Sequence, residues 1–442
     1  MMEVSTYKNS GVDWLGDIPE HWEVKRLKQN TYLKGRIGWQ NLRANEFVEE
    51  GPYCITGTDF IKGKINWNTC YKVTESRYEI DEKIHLRDGD LLITKDGTIG
   101  KVALVMNMPY KATLNSGIML VRPTTRKFHT QFLFWVLISE VFYQFNEYTK
   151  SGSTILHLYQ NVFERMPFPV PTIDEQTTIA NYLDEKTTKI DRLIQNKTDQ
   201  IERLKEIRQI EITRAVTKGL DSNVSLKPSG IDWLGDIPEH WEVKRLKNII
   251  KLNPSKGSSI YSQDDNIDVT FLPMEKVLEN GTYLEDLQRP ISTVWNGFTY
   301  FERGDIILAK ITPCYENGKG ALLKEMKTKV GFGSTEFHVL RTNNIIAANN
   351  FLYYVTKSDM FMQVGEAMMT GSAGQKRVPS AYIEYFKIGL PSLTEQTTIA
   401  NYLDEKTTKI DQLVDNLQDQ IKKLEEIRKI EIYNAVTGKT PL

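Results

Sequence analysis

Cysteine is scarce in this chain. Cys54, Cys70 and Cys314 are the only three in 442 residues, and no CxxC spacing links them. An odd, scattered set argues against a disulfide framework or a zinc knuckle, and for reduced thiols in the cytoplasm. Long apolar runs are missing too: the longest, Phe132–Ile138, falls far short of the ~20 residues a membrane span needs. Neither sign of charge dominates, with 56 Lys and Arg against 57 Asp and Glu. Any nucleic-acid contact must therefore come from local clusters of cation. The first residues, MMEVSTYKNS, lack the charged-then-apolar layout of a secretory signal. The expectation is a soluble, cytoplasmic protein with no membrane partner, long enough for roughly two to four domains.

Catalytic signatures are also lacking. NMPY (Asn107–Tyr110) is one letter from an NPPY motif of adenine methyltransferases, but no glycine-rich cofactor loop precedes it; it reads as a turn. GFGS (Gly331–Ser334) does not fit GxGxxG and runs into a strand pattern. GTIGK (Gly97–Lys101) and ENGKG (Glu316–Gly320) have neither the glycine spacing of a P-loop nor its Ser or Thr. The histidines (His21, His85, His129, His157, His240, His338) lie apart, without ligand spacing. The expectation is no catalytic residue, no metal site and no cofactor in this chain.

What the chain does have is repetition. EQTTIANYLDEKTTKID at Glu175–Asp191 returns unchanged at Glu395–Asp411. SGVDWLGDIPEHWEVKRLK at Ser10–Lys28 returns at Ser229–Lys247, where only Val12 has become Ile231. The chain is thus a tandem duplication of a unit of about 220 residues, far longer than the ~20–50 residues of solenoid repeats. Ahead of each conserved helix start stands a capping box, Thr172 with Glu175 and Ser392 with Glu395. Beyond it, Ile190, Leu193, Lys197, Ile201, Leu204 and Ile207 recur at spacings of three or four. The second copy offers Ile410, Leu413, Leu417, Ile421, Leu424 and Ile427. That near-heptad seam predicts two long paired helices, each roughly 60 Å if unbroken. Alone, either would be marginal in water.

Between the repeats the bodies diverge. Gly89–Val105 reads as two strands around a glycine-rich turn, Asn115–Pro123 as a further strand, and 130–149 as a helix. Arg303–Leu323, Ser334–Arg341 and Asn349–Met369 follow the same plan in other letters. Two bodies with one plan and different letters suggest one job and two targets. KGRIGWQNLR supplies Lys34, Arg36, Gln40 and Arg43 around Trp39, cations for phosphates and groups able to read base edges. The glycine-rich turn supplies Lys95, Thr98 and Lys101, and its counterpart Lys310 and Lys319. Later loops supply Ser153, Thr154 and His157, and in the second body Ser372, Gln375, Lys376 and Arg377. Trp14, Trp22, Trp233 and Trp241 read as packing anchors.

These features resemble the specificity subunits of type I restriction–modification systems. The resemblance covers nearly the whole chain and rests chiefly on the helix starts at Pro171–Asp191 and Pro391–Asp411. The SGVDWLGDIPEHWEV opening, GDLLITKDGTIGKV and GSAGQKRVP also fit that family. It implies an α+β, pseudo-two-fold tandem duplication: two α/β target-recognition domains separated by two long antiparallel coiled-coil helices. The expected boundaries are 1–172 and 231–392 for the domains, 173–217 and 393–442 for the helices and tail, and 218–230 for the linker. It further implies that each domain reads half of a bipartite duplex DNA site, that the helices set the spacer, and that two methyltransferase subunits dock on them. Restriction and translocase subunits would complete the enzyme, with S-adenosylmethionine, ATP and Mg²⁺ in those partners. The alternative is a coiled-coil scaffold bridging two protein partners without DNA specificity.

Overall fold

The structure is a computed structural model that describes residues 6–35, 46–125, 127–149, 157–372 and 374–442. It divides into two compact units, one of Met1–Lys197 with Gln418–Leu442, the other of Thr198–Leu417. Each unit therefore combines one head with the first half of one long helix and the second half of the other.

In the first unit a six-stranded sheet runs in the order Thr31–Gly35, Ile118–Pro123, Leu91–Thr94, Val102–Leu104, Lys64–Ile65, Phe60–Ile61. The strand Leu91–Thr94 is buried on both faces, and period-two alternation shows why. Leu91, Ile93, Val102, Met119 and Val121 join the core under helix Thr130–Ile138. Leu92, Ala103, Ile118 and Leu120 join a second cluster with Ile55, Ile84 and Leu114. The second unit has two four-stranded sheets. One, Ile250–Leu252, Phe337–Thr342, Ile306–Ala309, Gly320–Leu322, again splits its side chains: Ile306 and Leu308 to one core, Ile307 and Val339 to another.

The helix expected over 130–149 is two helices, Thr130–Ile138 and Glu140–Thr149. Ser139 between them is extended, at φ −85° and ψ 170°. Its hydroxyl donates to Val136 O at 2.7 Å and accepts from Val141 N at 3.2 Å, ending one helix and capping the next. Ser358 does the same between Asn349–Lys357 and Asp359–Ala367.

The long helices span Ile173–Lys218 and Leu393–Val436. Within the first unit they run antiparallel: Tyr182 donates to Glu431 at 2.7 Å, and Asp191 pairs with Arg428 at 3.0 Å. Within the second, Arg208 pairs with Asp411 at 3.3 Å and Tyr402 donates to Glu211 at 2.9 Å. Ile190, Ile201 and Ile410 are buried, and Leu204, Leu417, Ile421 and Leu424 half-buried. Leu193 and Leu413 are not in the seam; they are 48% and 53% exposed, and Ile207 and Ile427 also face outward. Their neighbours Ile194 and Val414 take the half-buried positions. A seam of period 3.5 must alternate steps of four and three, as Ile190, Ile194, Lys197, Ile201, Leu204 do. Passing through Leu193 would require successive steps of four, which drift off the seam.

The opening segment and the helix start are joined in each unit. Glu23–Arg26 pairs antiparallel with the proline-rich Pro167–Val170, a two-stranded ribbon whose open edge tolerates proline. Thr172 donates from N and Oγ1 to Glu175 at 2.9 and 2.7 Å, closing the capping box. Glu175 also accepts from the indole of Trp22 at 3.2 Å and contacts His21 at 2.7 Å. Trp241 and His240 meet Glu395 in the same way, each at 3.0 Å. Trp22 and Trp241 are buried, whereas Trp14 is half-buried and Trp233 exposed, stacked on Phe386.

A candidate nucleic-acid interface in each head

In the first head the candidates gather where strand Leu91–Thr94 ends. Lys95 donates its backbone N–H to Gly117 O at 2.8 Å, and its carbonyl accepts from Leu158 N at 2.9 Å. Its amine lies 3.4 Å from where a β-carbon on Gly35 would stand, so the strand bearing Lys34 and the turn meet here. Gln160 fastens that strand, donating to Leu33 O at 3.1 Å and accepting from Gly35 N at 3.3 Å. The Thr94 hydroxyl donates to Thr98 O and accepts from Lys101 N at 3.0 Å, setting the turn that exposes Thr98 and Lys101. His157 pairs through Nδ1 with Asp96 and stands edge-on to the exposed Tyr159, 4.6 Å between centroids. Arg36, Gln40, Arg43, Ser153 and Thr154 lie outside the described residues.

The second head builds the same node from other residues. Lys310 donates to Glu336 O at 2.9 Å and accepts from Val378 N at 2.8 Å. Lys319 ends the turn, its carbonyl accepting from Ala309 N at 2.9 Å. Ser372, Gln375 and Lys376 are exposed, with the Gln375 N–H donating to Ser372 O at 3.0 Å. Arg377 grips both oxygens of Glu336, at 2.9 Å each. That pairing raises the guanidinium's pKa and holds the Glu336 carboxyl below its usual range. Arg377 is thus a strut of this loop as much as a free cation. His338, buried beneath it, bonds Val378 O at 2.9 Å, and burial pushes its imidazole pKa down.

Sequence reasoning missed the counter-charges Asp96 and Glu336. It also missed the cation cluster around Tyr385, where Lys247 lies 4.3 Å and Arg245 5.6 Å from the ring centroid. These partners are distant in sequence, and no local pattern announces them. Among the described residues no group of His, Cys, Asp and Glu is placed to hold a metal, and no helix is long and apolar enough to cross a membrane. The arrangement offers cations, amides and hydroxyls on rigid strand ends, which is binding chemistry.

Comparison with known proteins finds similarity in both halves of the chain. The EcoEI specificity subunit of Escherichia coli is 38% identical over 180 residues, 40% of this chain and 30% of its own length. The EcoAI specificity subunit of the same species is 37% identical over the same shares. The match thus spans 30% of the length of these two relatives. A putative MjaX specificity subunit of Methanocaldococcus jannaschii is 26% identical over 96% of this chain and 95% of its own. Among solved structures, a chain from work on the assembly and conformational transition of a type I R-M system superimposes with a TM-score of 0.71. It is 15% identical over 96% of this chain and 99% of that one. The HsdS subunit from Thermoanaerobacter tengcongensis gives 0.54, at 15% identity over 96% and 98%; both share the fold. The profile of the type I restriction modification DNA specificity domain matches residues 19–203 and again 238–423. With two such domains in tandem, the chain belongs to that family.

Proposed function

We propose that this chain is the DNA sequence-specificity subunit of a type I restriction–modification enzyme. Each head reads one half of a bipartite site in duplex DNA. The paired helices set the unspecified gap and dock two methyltransferase subunits, which restriction and translocase subunits join in the full complex. S-adenosylmethionine, ATP and Mg²⁺ act in those partners; this chain binds without catalysing, in the cytoplasm.

One observation carries the reading: two heads present the same cationic strand-end node on one architecture, while the loops around it differ. A shared node suits a shared duplex, and different loops suit different half-sites. The unchanged helix segment, presented twice, suits two copies of one partner. Two linked readers also gain from effective concentration, so either alone binds weakly.

The test is to co-express the chain with its cognate methyltransferase subunit and sequence the methylated genome. A split motif with a fixed gap is the expected result, and exchanging residues 29–169 for another head changes one half of it. A complex that assembles but adds no chain-dependent methylation overturns the reading.

A further inference from the structure

The heads differ in most letters of their bodies, yet two lysines recur at the same backbone nodes. Lys95 and Lys310 each leave a central strand. Each donates its N–H across to the turn before the next strand, and each accepts from the segment that follows the helices, through Leu158 and Val378. At the far end of each hairpin, Thr94 N donates to Lys101 O and Ala309 N to Lys319 O, both at 2.9 Å. A lysine therefore stands on either side of the hairpin turn in both heads. The turns between them differ in length and, apart from the glycine before the second lysine, in the order of their letters: DGTIG in one, ITPCYENG in the other.

We infer, resting on the DNA reading above, that Lys95 with Lys101 and Lys310 with Lys319 bracket backbone phosphates. The turn between each pair then carries base-reading groups. A duplex presents the same phosphates to both heads whatever its sequence, so a cation kept at the same node suits the phosphate. Half-sites differ, so the divergent turn suits the bases. Both turns are held rigid. In the first, the Thr94 hydroxyl bonds Thr98 O and Lys101 N. In the second, the buried Tyr315 donates to Phe361 O at 3.1 Å, and the Lys357 amine donates to Gly318 O. Rigid turns present the same groups without an ordering cost. Thr98 and Asn317 are the exposed neutral donor–acceptors of the two turns. The Asn317 amide matches N6 and N7 of adenine in the major groove, whereas the Thr98 hydroxyl has no such single partner.

The test uses the full chain in complex with its methyltransferase subunit and reads two things: the methylated motif, and the salt dependence of binding to a duplex carrying it. Variants are K95A/K101A, K310A/K319A, their Lys→Arg counterparts, and N317A, each checked by thermal melting. The alanine pairs are expected to leave both half-sites unchanged and weaken binding about tenfold or more. They should also lower the log–log salt slope by about 2, near 0.9 per lost phosphate contact. The arginine pairs should restore the slope. N317A should relax an adenine position in the second half alone. A changed motif in the lysine variants, an unchanged slope, or an intact second half in N317A overturns the inference. A wild-type complex without a bipartite motif instead removes the DNA reading itself, and the brackets with it.

Discussion

Arg341 holds Asp305 through two parallel hydrogen bonds, Nε to Oδ1 at 2.8 Å and Nη2 to Oδ2 at 2.7 Å. Arg122 holds Asp90 in the same way in the other head, at 2.6 and 2.7 Å. Each aspartate is buried just before the central strand and also accepts a backbone N–H, from Glu302 or Arg87, both at 2.7 Å. Each pair thus locks the turn that starts one strand to the neighbouring strand, whatever the loops beyond it read.

Removing Asp305 takes away the bidentate partner of Arg341 and leaves it Glu302 alone, at 2.6 Å. Burial pushes the Asp305 carboxyl up, against the pull of Arg341. D305A is expected to destabilise by about 3 kcal/mol, the low end for a broken buried pair because Arg341 is partly exposed and keeps Glu302. A D305L/R341L double variant should recover much of the loss. Equal denaturation midpoints for D305A and wild type would show the pair to be idle.

Lys357 is buried at the end of its helix, where the first head has Ile138. Burial and then Arg208 push its ammonium down to about 7, against Glu279. The unfolded chain titrates near 10.5 and therefore binds more protons between pH 7 and 10.5. Stability from this group rises with pH across that window and is flat below it. K357M should raise the denaturation midpoint at pH 7 and flatten the rise toward pH 10. A variant less stable than wild type at pH 7 would count against this.

Glu175 titrates in the opposite sense. Burial works to raise its pKa, but hydrogen bonds from His21, Thr172 and Trp22 outweigh burial and bring it to about 2. Its stabilisation is present above the unfolded value of 4.5 and is lost as pH falls toward 2. The gap in melting temperature between wild type and E175Q should be full at pH 6 and closed near pH 2. A gap that does not change with pH would assign the effect to packing.

Two glycines end the long helices with positive φ, Gly219 at 74° and Gly438 at 74°. A β-carbon on Gly219 would meet Glu395 and Trp241 at 3.4 Å, ordinary contact, whereas one on Gly438 would lie 2.5 Å from the Pro19 ring. G219A should cost about 1 kcal/mol for the left-handed backbone alone. G438A should cost distinctly more, because a proline ring cannot swing aside. Thermal melts of the two variants decide it.

The amino-acid sequence determined what depends on neighbours along the chain. The duplication, the capping boxes at Thr172 and Ser392, and the long amphipathic runs are local patterns and were legible as such. So was the family resemblance, which rests on those same segments. Tertiary structure decided what depends on a partner far away. Ile190 is followed by two adjacent apolar residues, Leu193 and Ile194, and only the facing helix selects the second. Ser139 breaks one expected helix into two through bonds any serine could make, so composition gave no warning. Asp96 with His157, and Glu336 with Arg377, meet across 61 and 41 residues. Which candidate cations are clamped and which face outward therefore depends on how the strands and loops are brought together, because an ion pair is set by distance in space and not by spacing along the chain.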